Sequence, residues 1–361
     1  MKHLMSISLF SFCAWLLTAC TQDDGLAVRG EEQEVMLELP VIAPGMEQTG
    51  GNASTRSAKE DPEKVIKDNK VWVIQFEGTA STSKVKKTKE VTLTNGSVSF
   101  PFALTSGKCR VYITANVVPG VTEGTTTLQQ FETKVVTYAA ATYPLATGTG
   151  LPMCVWQDID PSAISDASPV PAFKLQAMVA KLILNYTIAA EAQAEFGSTM
   201  TVTLENVING VVYKAPTTFA AAAQPSGTSF STKAVGTNVS TTTAYTCTLY
   251  VPENIAGQTS GLTSLTQRST GNAKANATYF KVVALAKSGN NNITVSLFLG
   301  DPSNVNDFNV RRNYAYKMDV NVLGIDEADL RLTTKADFMY VNDNTTGWTD
   351  ASKTDDTFGS N

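Results

Sequence analysis

The chain has 361 residues, 43% of them hydrophobic, 17% charged and 8% aromatic, with 28 Lys/Arg against 33 Asp/Glu and one histidine. That length accommodates two domains with cores of their own, and a formal charge of −5 excludes the basic surface that nucleic-acid binding needs. The single histidine, His3, lies in a segment with the pattern of a targeting signal, so Ser/His/Asp triads, Cys/His nucleophile pairs and histidine-ligated metal sites are excluded from the mature chain.

Lys2 supplies a short positive start, "LMSISLFSFCAWLL" is an apolar run too short to span a bilayer comfortably, and "LTAC" follows it. Leu17, Thr18 and Ala19 suit the groove of a lipoprotein signal peptidase, and the thiol of Cys20 is the predicted lipid attachment point and new N-terminus. Residues 1–20 therefore read as a lipoprotein signal peptide and the chain as exported; an ordinary secretory signal with a chance cysteine is the plainer alternative. Cys109, Cys154 and Cys247 remain without metal-ligand spacing, as three buried thiols or as one Cys109–Cys154 disulfide plus a thiol, the thiols being favoured.

The next element is a strand, "EEQEVMLELPVI", in which Val35, Leu37, Leu39 and Val41 alternate with more polar neighbours. It dissolves into a Gly/Asn/Ser/Thr linker with an exposed-looking Arg56 before Ser57, a predicted proteolytic site that makes residues 21–56 a propeptide with a removable strand. Cutting there takes away three Lys/Arg and seven Asp/Glu and moves the formal charge from −5 to −1, a near-neutral surface suited to self-association. Arg29 is the alternative site, but it precedes the strand and would leave it in place; a permanent edge strand beside an ordinary loop arginine is the other reading.

Strands are then predicted at "KVWVIQFEG", with Trp72, Ile74 and Phe76 on one face, at "VSFPF", with Val98, Phe100 and Phe102, and at "CRVYITANV", with Cys109, Val111, Ile113 and Ala115. "TTLQQFETKVV" changes to helical spacing through Leu128, Phe131 and Val135. The first domain, 57–168, closes after "LPMCVWQDID" at the Pro/Ser-rich joint "DPSAISDASPVP". The second, 169–361, opens on "AMVAKLILNYTI", where Met178, Ala180, Leu182, Leu184, Tyr186 and Ile188 alternate. Strands follow at "MTVTLENV", "GVVYK", "YTCTLYVPE", "TYFKVVALAK", "ITVSLFLG", "YAYKMDVNVLG" and "LRLTTKADFMYV". The expected fold class is all-β, two tandem β-sandwiches with a short helix in the first.

Catalytic and ligand motifs are weak. "TGTGLPM" lacks the Lys-Ser/Thr of a phosphate loop, and "DPSNVND" lacks the glycine and distal glutamate of a calcium loop. Asp158 and Asp160 lie too close in sequence to face each other across a glycosidic bond unaided. No catalytic residue, metal or cofactor is expected, and the protein reads as a non-enzyme.

The "LTAC" lipobox, the pre-strand ended by "NASTRS", the early "VWVIQFEG" strand, "LPM" near the end of the first domain, "FKLQAMVAKLIL" opening the second and "LFLGDPSNVNDFNVRRNYAYKMDVNVLG" together resemble the fimbrillin family, the type V pilin and fimbrial-subunit lipoproteins of anaerobic Gram-negative bacteria. Two departures are Ala177, where many relatives carry arginine, and a polar tail beyond Trp348. The resemblance implies two transthyretin-like Greek-key sandwiches, transit through the cell outer membrane as a lipoprotein, and an arginine-specific protease that removes the first strand. It further implies a groove filled by a strand of another subunit, giving a homo- or hetero-polymeric fimbrium for adhesion or biofilm.

The candidate donor is "ADLRLTTKADFMYV", residues 328–341, whose Leu330, Leu332, Phe338 and Tyr340 match the alternation of the removable strand. A resident last strand is the competing reading for this segment. The competing function is a surface glycan-binding lipoprotein or tip adhesin using Trp72, Trp156 or Trp348 as a platform.

Overall fold

The computed structural model describes residues 34–42, 65–103, 105, 107–138, 150–165, 169–326, 331–342 and 349–358. All of them belong to one compact unit, Glu34–Asn361. In chain order the first elements are β1 (Glu34–Ile42), β2 (Lys70–Phe76), β3 (Val85–Thr92), β4 (Ser97–Ala103), β5 (Cys109–Ala115), the helix α1 (Leu128–Glu132), β6 (Val135–Thr137), β7 (Met153–Ile159), β8 (Phe173–Lys174) and β9 (Gln176–Ala177). A three-stranded sheet in the order β4-β1-β8 faces a five-stranded one in the order β3-β2-β5-β7-β9. Leu39, Val41, Val98, Phe100, Phe102 and Phe173 from the first meet Val71, Val73, Val111, Ile113 and Met153 from the second, a dry layer between two aligned sheets.

The strand predicted at "KVWVIQFEG" is apolar on both sides, for a structural reason. Val71 and Val73 line the sandwich, while Ile74 and Phe76 face outward onto α1, where Leu128 and Phe131 cover them together with Tyr112. Thr127 and Gln130 form a capping box at the start of that helix. The predicted helical spacing through Val135 fails, because the helix ends at Glu132 and Val135–Thr137 is a strand instead.

The remaining elements are β10 (Val179–Ile188), β11 (Phe196–Ile208), β12 (Gly210–Val212), β13 (Phe230–Ser240), β14 (Tyr245–Pro252), β15 (Tyr279–Ala286), β16 (Asn291–Phe298), β17 (Tyr314–Asp326), β18 (Arg331–Asn342) and β19 (Thr349–Phe358). A five-stranded sheet, β14-β10-β17-β18-β19, packs on a four-stranded one, β13-β11-β15-β16. Strict alternation along β10 places Ala180, Leu182, Leu184, Tyr186 and Ile188 in the core between them. The segment "FKLQAMVAKLIL" spans both regions, since β8 and β9 join the first pair of sheets and β10, two residues on, is central to the second. The fold is all-β, with layered sheets and a single α-helix among the described residues.

A compact joint links the regions. Strands β6 and β12 pair antiparallel, Phe131 stacks on Tyr213 with ring centroids 4.3 Å apart, and the Lys214 ammonium donates to Glu132 at 2.9 Å. Glu132 also accepts from Arg110 at 3.0 Å and from the Tyr112 hydroxyl at 2.8 Å. Burial pushes its pKa up, but the hydrogen bonds from Lys214, Tyr112 and Arg110 prevail and hold the carboxyl below its ordinary range. On the other side Arg312, paired with Glu253 at 2.8 Å, donates to the carbonyls of Val212 and Tyr213.

Candidate functional site

The site suggested by the sequence is the place of β1. This strand is the middle of its sheet, antiparallel to β4 from Glu34↔Ala103 to Pro40↔Ser97 and parallel to β8 at Val41↔Phe173 and Ile42↔Lys174. Burial increases along it: Val35 is 43% exposed, Leu37 half-buried, and Leu39 and Val41 are 0% and 3% exposed. The anchors are thus the last two inward side chains, whereas Val35 stays largely in solvent. On the outer face Glu34 pairs with Lys87 at 2.6 Å and Glu38 accepts from Ser97 at 3.1 Å, both exposed and each of small energetic weight.

Taking β1 away strips β4 of its only strand neighbour among the described residues and opens a furrow floored by Val71, Val73, Val111 and Ile113. An apolar slot with an unpaired strand edge on either side is what strand addition requires. The backbone groups of β4 and β8 pair with β1, and the two pockets of Leu39 and Val41 fix its register.

Cys20, Arg29, Arg56, Ser57, Leu330 and Trp348 lie outside the described residues. The candidate donor lies in β18, between β17 and β19, where Leu332, Ala336 and Phe338 are buried in the C-terminal core. Tyr340 lies in register with Tyr316 on β17. The slot and the candidate donor therefore belong to different sandwiches of one chain.

Cys109, Cys154 and Cys247 are free thiols. Cys109 belongs to the sandwich core and Cys154 to the layer under α1, on opposite faces of one sheet, so their Cβ atoms point apart and cannot be bridged. Burial pushes Cys109 up to about 11 and Cys154 up to about 12, which makes both unreactive. Trp72 is half-buried; Trp156 is 39% exposed, with the Arg110 guanidinium 4.0 Å from its ring centre and itself bonded to Asp158. Among the described residues no group of three or more His, Cys, Asp or Glu is placed to hold a metal.

Among the buried polar side chains that sequence reasoning missed, three shape the surroundings of the slot and the loops. Gln75, on β2, bonds through its amide to the backbone of Ala103 at the end of β4. Arg268 donates to the carbonyls of Asp301, Asn304, Val305 and Asp307 at 2.8 to 3.0 Å, so a guanidinium fills the loop that resembles a cation site. Burial depresses its pKa to about 10. Gly300 (φ +138°) is required where that loop closes, since a Cβ there would lie 2.0 Å from the Asp307 carbonyl oxygen. The third is Glu253, the buried partner of Arg312. Gln75 and Glu253 had no signal beyond a polar residue within or beside an apolar run, and Arg268 none beyond an arginine in the polar stretch "SLTQRSTGN". Ala177, the departure from the resembling family's pattern, is buried with Leu151, Val179 and Tyr250.

The tip fimbrial protein Mfa3 from Porphyromonas gingivalis, with C-terminal truncation, superposes on the chain with a TM-score of 0.50 at 16% identity, over 86% of this chain and 100% of that one. The chain shares the fold of a fimbrial protein. A candidate cell adhesion protein from Parabacteroides distasonis also gives a TM-score of 0.50 at 16% identity, over 88% and 99% of the two chains. Residues 249–320 match a family model described as a domain of unknown function, DUF4906. In this fimbrial fold they run from the end of β14 into β17 and carry both the Arg268 cradle and the Glu253–Arg312 pair. No curated protein matches the sequence.

Proposed function

We propose that the protein is a structural fimbrial subunit, exported as a lipoprotein on Cys20, cleaved after Arg56, and polymerised with other subunits by strand exchange for adhesion or biofilm. The observation that carries this reading is the position of β1: a strand in the middle of its sheet, followed by a long polar linker with an arginine, and anchored by only two fully buried side chains. Each contributes about 1.5–3 kcal/mol, enough to close the slot and little enough to be replaced. An arginine-specific protease acts at the outer membrane, β1 is lost, and the slot takes an extended segment from the next subunit. The contact is head-to-tail and does not close on itself, so it propagates.

The donor is residues 328–341, leaving with β19. Leu332 and Phe338 then exchange one buried setting for another, in the slot of a neighbour, so the net drive comes from filling the slot. A glycan-binding lipoprotein has less behind it, because Arg110 already lies over Trp156.

The proposal is tested by exposing wild-type and Arg56→Ala protein to an arginine-specific protease and examining both by electron microscopy. Filaments from the wild type and full-length monomers from the variant are expected. Trimming and assembly of Arg56→Ala equal to wild type would place the cut elsewhere.

A further inference from the structure

The slot has two walls, and loss of β1 leaves β4 with no partner strand in its own sheet among the described residues. An unsupported wall closes over an apolar furrow rather than holding it open to water, and the slot vanishes. Something other than β1 must hold β4.

Along a strand, the backbone groups of alternate residues point to the same edge. Ser97, Ser99, Pro101 and Ala103 are so related, on the edge away from β1, and the backbone groups of Ser97 and Ala103 are paired without it. Ser97 exchanges both backbone groups with Thr94, at 2.8 and 3.0 Å. Pro101 has no N–H to offer. The Ala103 N–H donates to Gln75 Oε1 at 2.9 Å, and its carbonyl accepts from Gln75 Nε2 at 2.6 Å. Gln75 is 0% exposed and stands on β2, in the facing sheet, so its amide does for Ala103 what a neighbouring strand's peptide would do.

We infer that Gln75 is a positioning residue that staples β4 to the facing sheet while the slot is empty, and that with the Thr94 turn it occupies both ends of the outer edge of β4, with Pro101 removing a donor between them, so that a replacement strand finds its continuous edge on the side β1 has left. This rests on the reading of β1 as removable. It adds to that reading a preformed slot with one continuous open edge, which takes a single strand from a second copy of the chain and not a stack of them.

The test uses the full chain with a specific protease site placed within residues 43–56, cut and freed of β1 under mild denaturant, as wild type and as Gln75→Met, which keeps the volume and removes the amide. Hydrogen exchange is read at Ser97, whose N–H points away from β1 and stays paired with Thr94 when β1 leaves, and a labelled peptide of residues 34–42 is titrated back. Uncut, both proteins are expected to fold and to protect β4 alike. Emptied, wild type keeps β4 protected and Gln75→Met loses that protection, and the variant binds the peptide about 30-fold more weakly, the effect of leaving the two Ala103 groups unpaired.

Equal protection and peptide affinities within roughly twofold would overturn the staple. So would an uncut Gln75→Met chain that fails to fold, since β1 would then be insufficient to hold β4. A wild-type protein that keeps β4 protected yet refuses the peptide would contradict strand replacement while leaving the staple standing.

Discussion

Leu39 and Val35 lie on the same face of β1, one 0% and the other 43% exposed, and the difference makes them a built-in comparison. Leu39→Ala is expected to destabilise the uncut protein by about 2–5 kcal/mol, because a fully enclosed leucine leaves both its transfer energy and a cavity behind. Val35→Ala should lie within about 0.5 kcal/mol of wild type, as surface truncations do. Urea midpoints of the two variants give the answer, and equal losses would mean that the slot grips β1 along its whole length. Glu132 makes a prediction about pH. Its carboxyl is held below the ordinary value of 4.5, so its contribution is present in full above that value and is lost as pH falls through the lowered one. Glu132→Gln should therefore melt lower than wild type at neutral pH, with the gap narrowing as pH drops below about 4.5. A constant gap across that range would assign the effect to packing and not to the charge.

Position in the sheet explains part of what sequence reasoning found and missed, although the edge strands β4, β14 and β16 were found as well. Strands between two neighbours, such as β5 and β10, must alternate or run apolar, and Cys109–Ala115 and Val179–Ile188 are legible for that reason. Of the omissions, β3, β13 and β19 are edge strands, whereas β7, read only as the close of the first domain, lies between β5 and β9. Lys86, Lys87 and Lys89 on β3, and the bulges and Gly236 of β13, are devices that keep an edge from pairing further, and they erase the alternation a reader looks for. The slot was visible because Val35 to Val41 alternate cleanly, whereas the grading of burial along β1 depends on how far the facing sheet extends and has no local signature. Gln75 was invisible for a related reason: a lone glutamine in "VWVIQF" reads as a solvent-facing residue until the sheet opposite is known. For β18 the register with β17 gives a definite expectation. Truncation before residue 328 removes Leu332, Ala336 and Phe338 from the C-terminal core, so the shortened chain should melt lower, and a peptide of residues 328–341 added in trans should restore the transition. An unchanged melt would mean that this strand is dispensable in its own subunit.

At the scale of the whole molecule, two sandwiches are coupled through Val212–Lys214, gripped by Arg312 on one side and by β6, Phe131 and Glu132 on the other. A subunit pulled from its slot at one end and its donor strand at the other would pass tension through this joint. The proposed export and maturation also act at the ends: Cys20→Ala should abolish incorporation of labelled lipid and surface display, and lipid recovered on that variant would refute attachment at Cys20. The central claim is that assembly requires β1 to leave. Glu38 and Ser99 face each other across β1 and β4 with both side chains exposed, in the close pair type whose Cα separation suits a disulfide, so Glu38→Cys with Ser99→Cys makes a reversible lock. The decisive measurement is light scattering of this doubly substituted protein after cleavage between residues 43 and 56, first oxidised and then reduced. Cut protein should stay monomeric while the lock is closed and assemble once it is opened; growth of polymers with the lock closed would contradict the exchange of β1 outright.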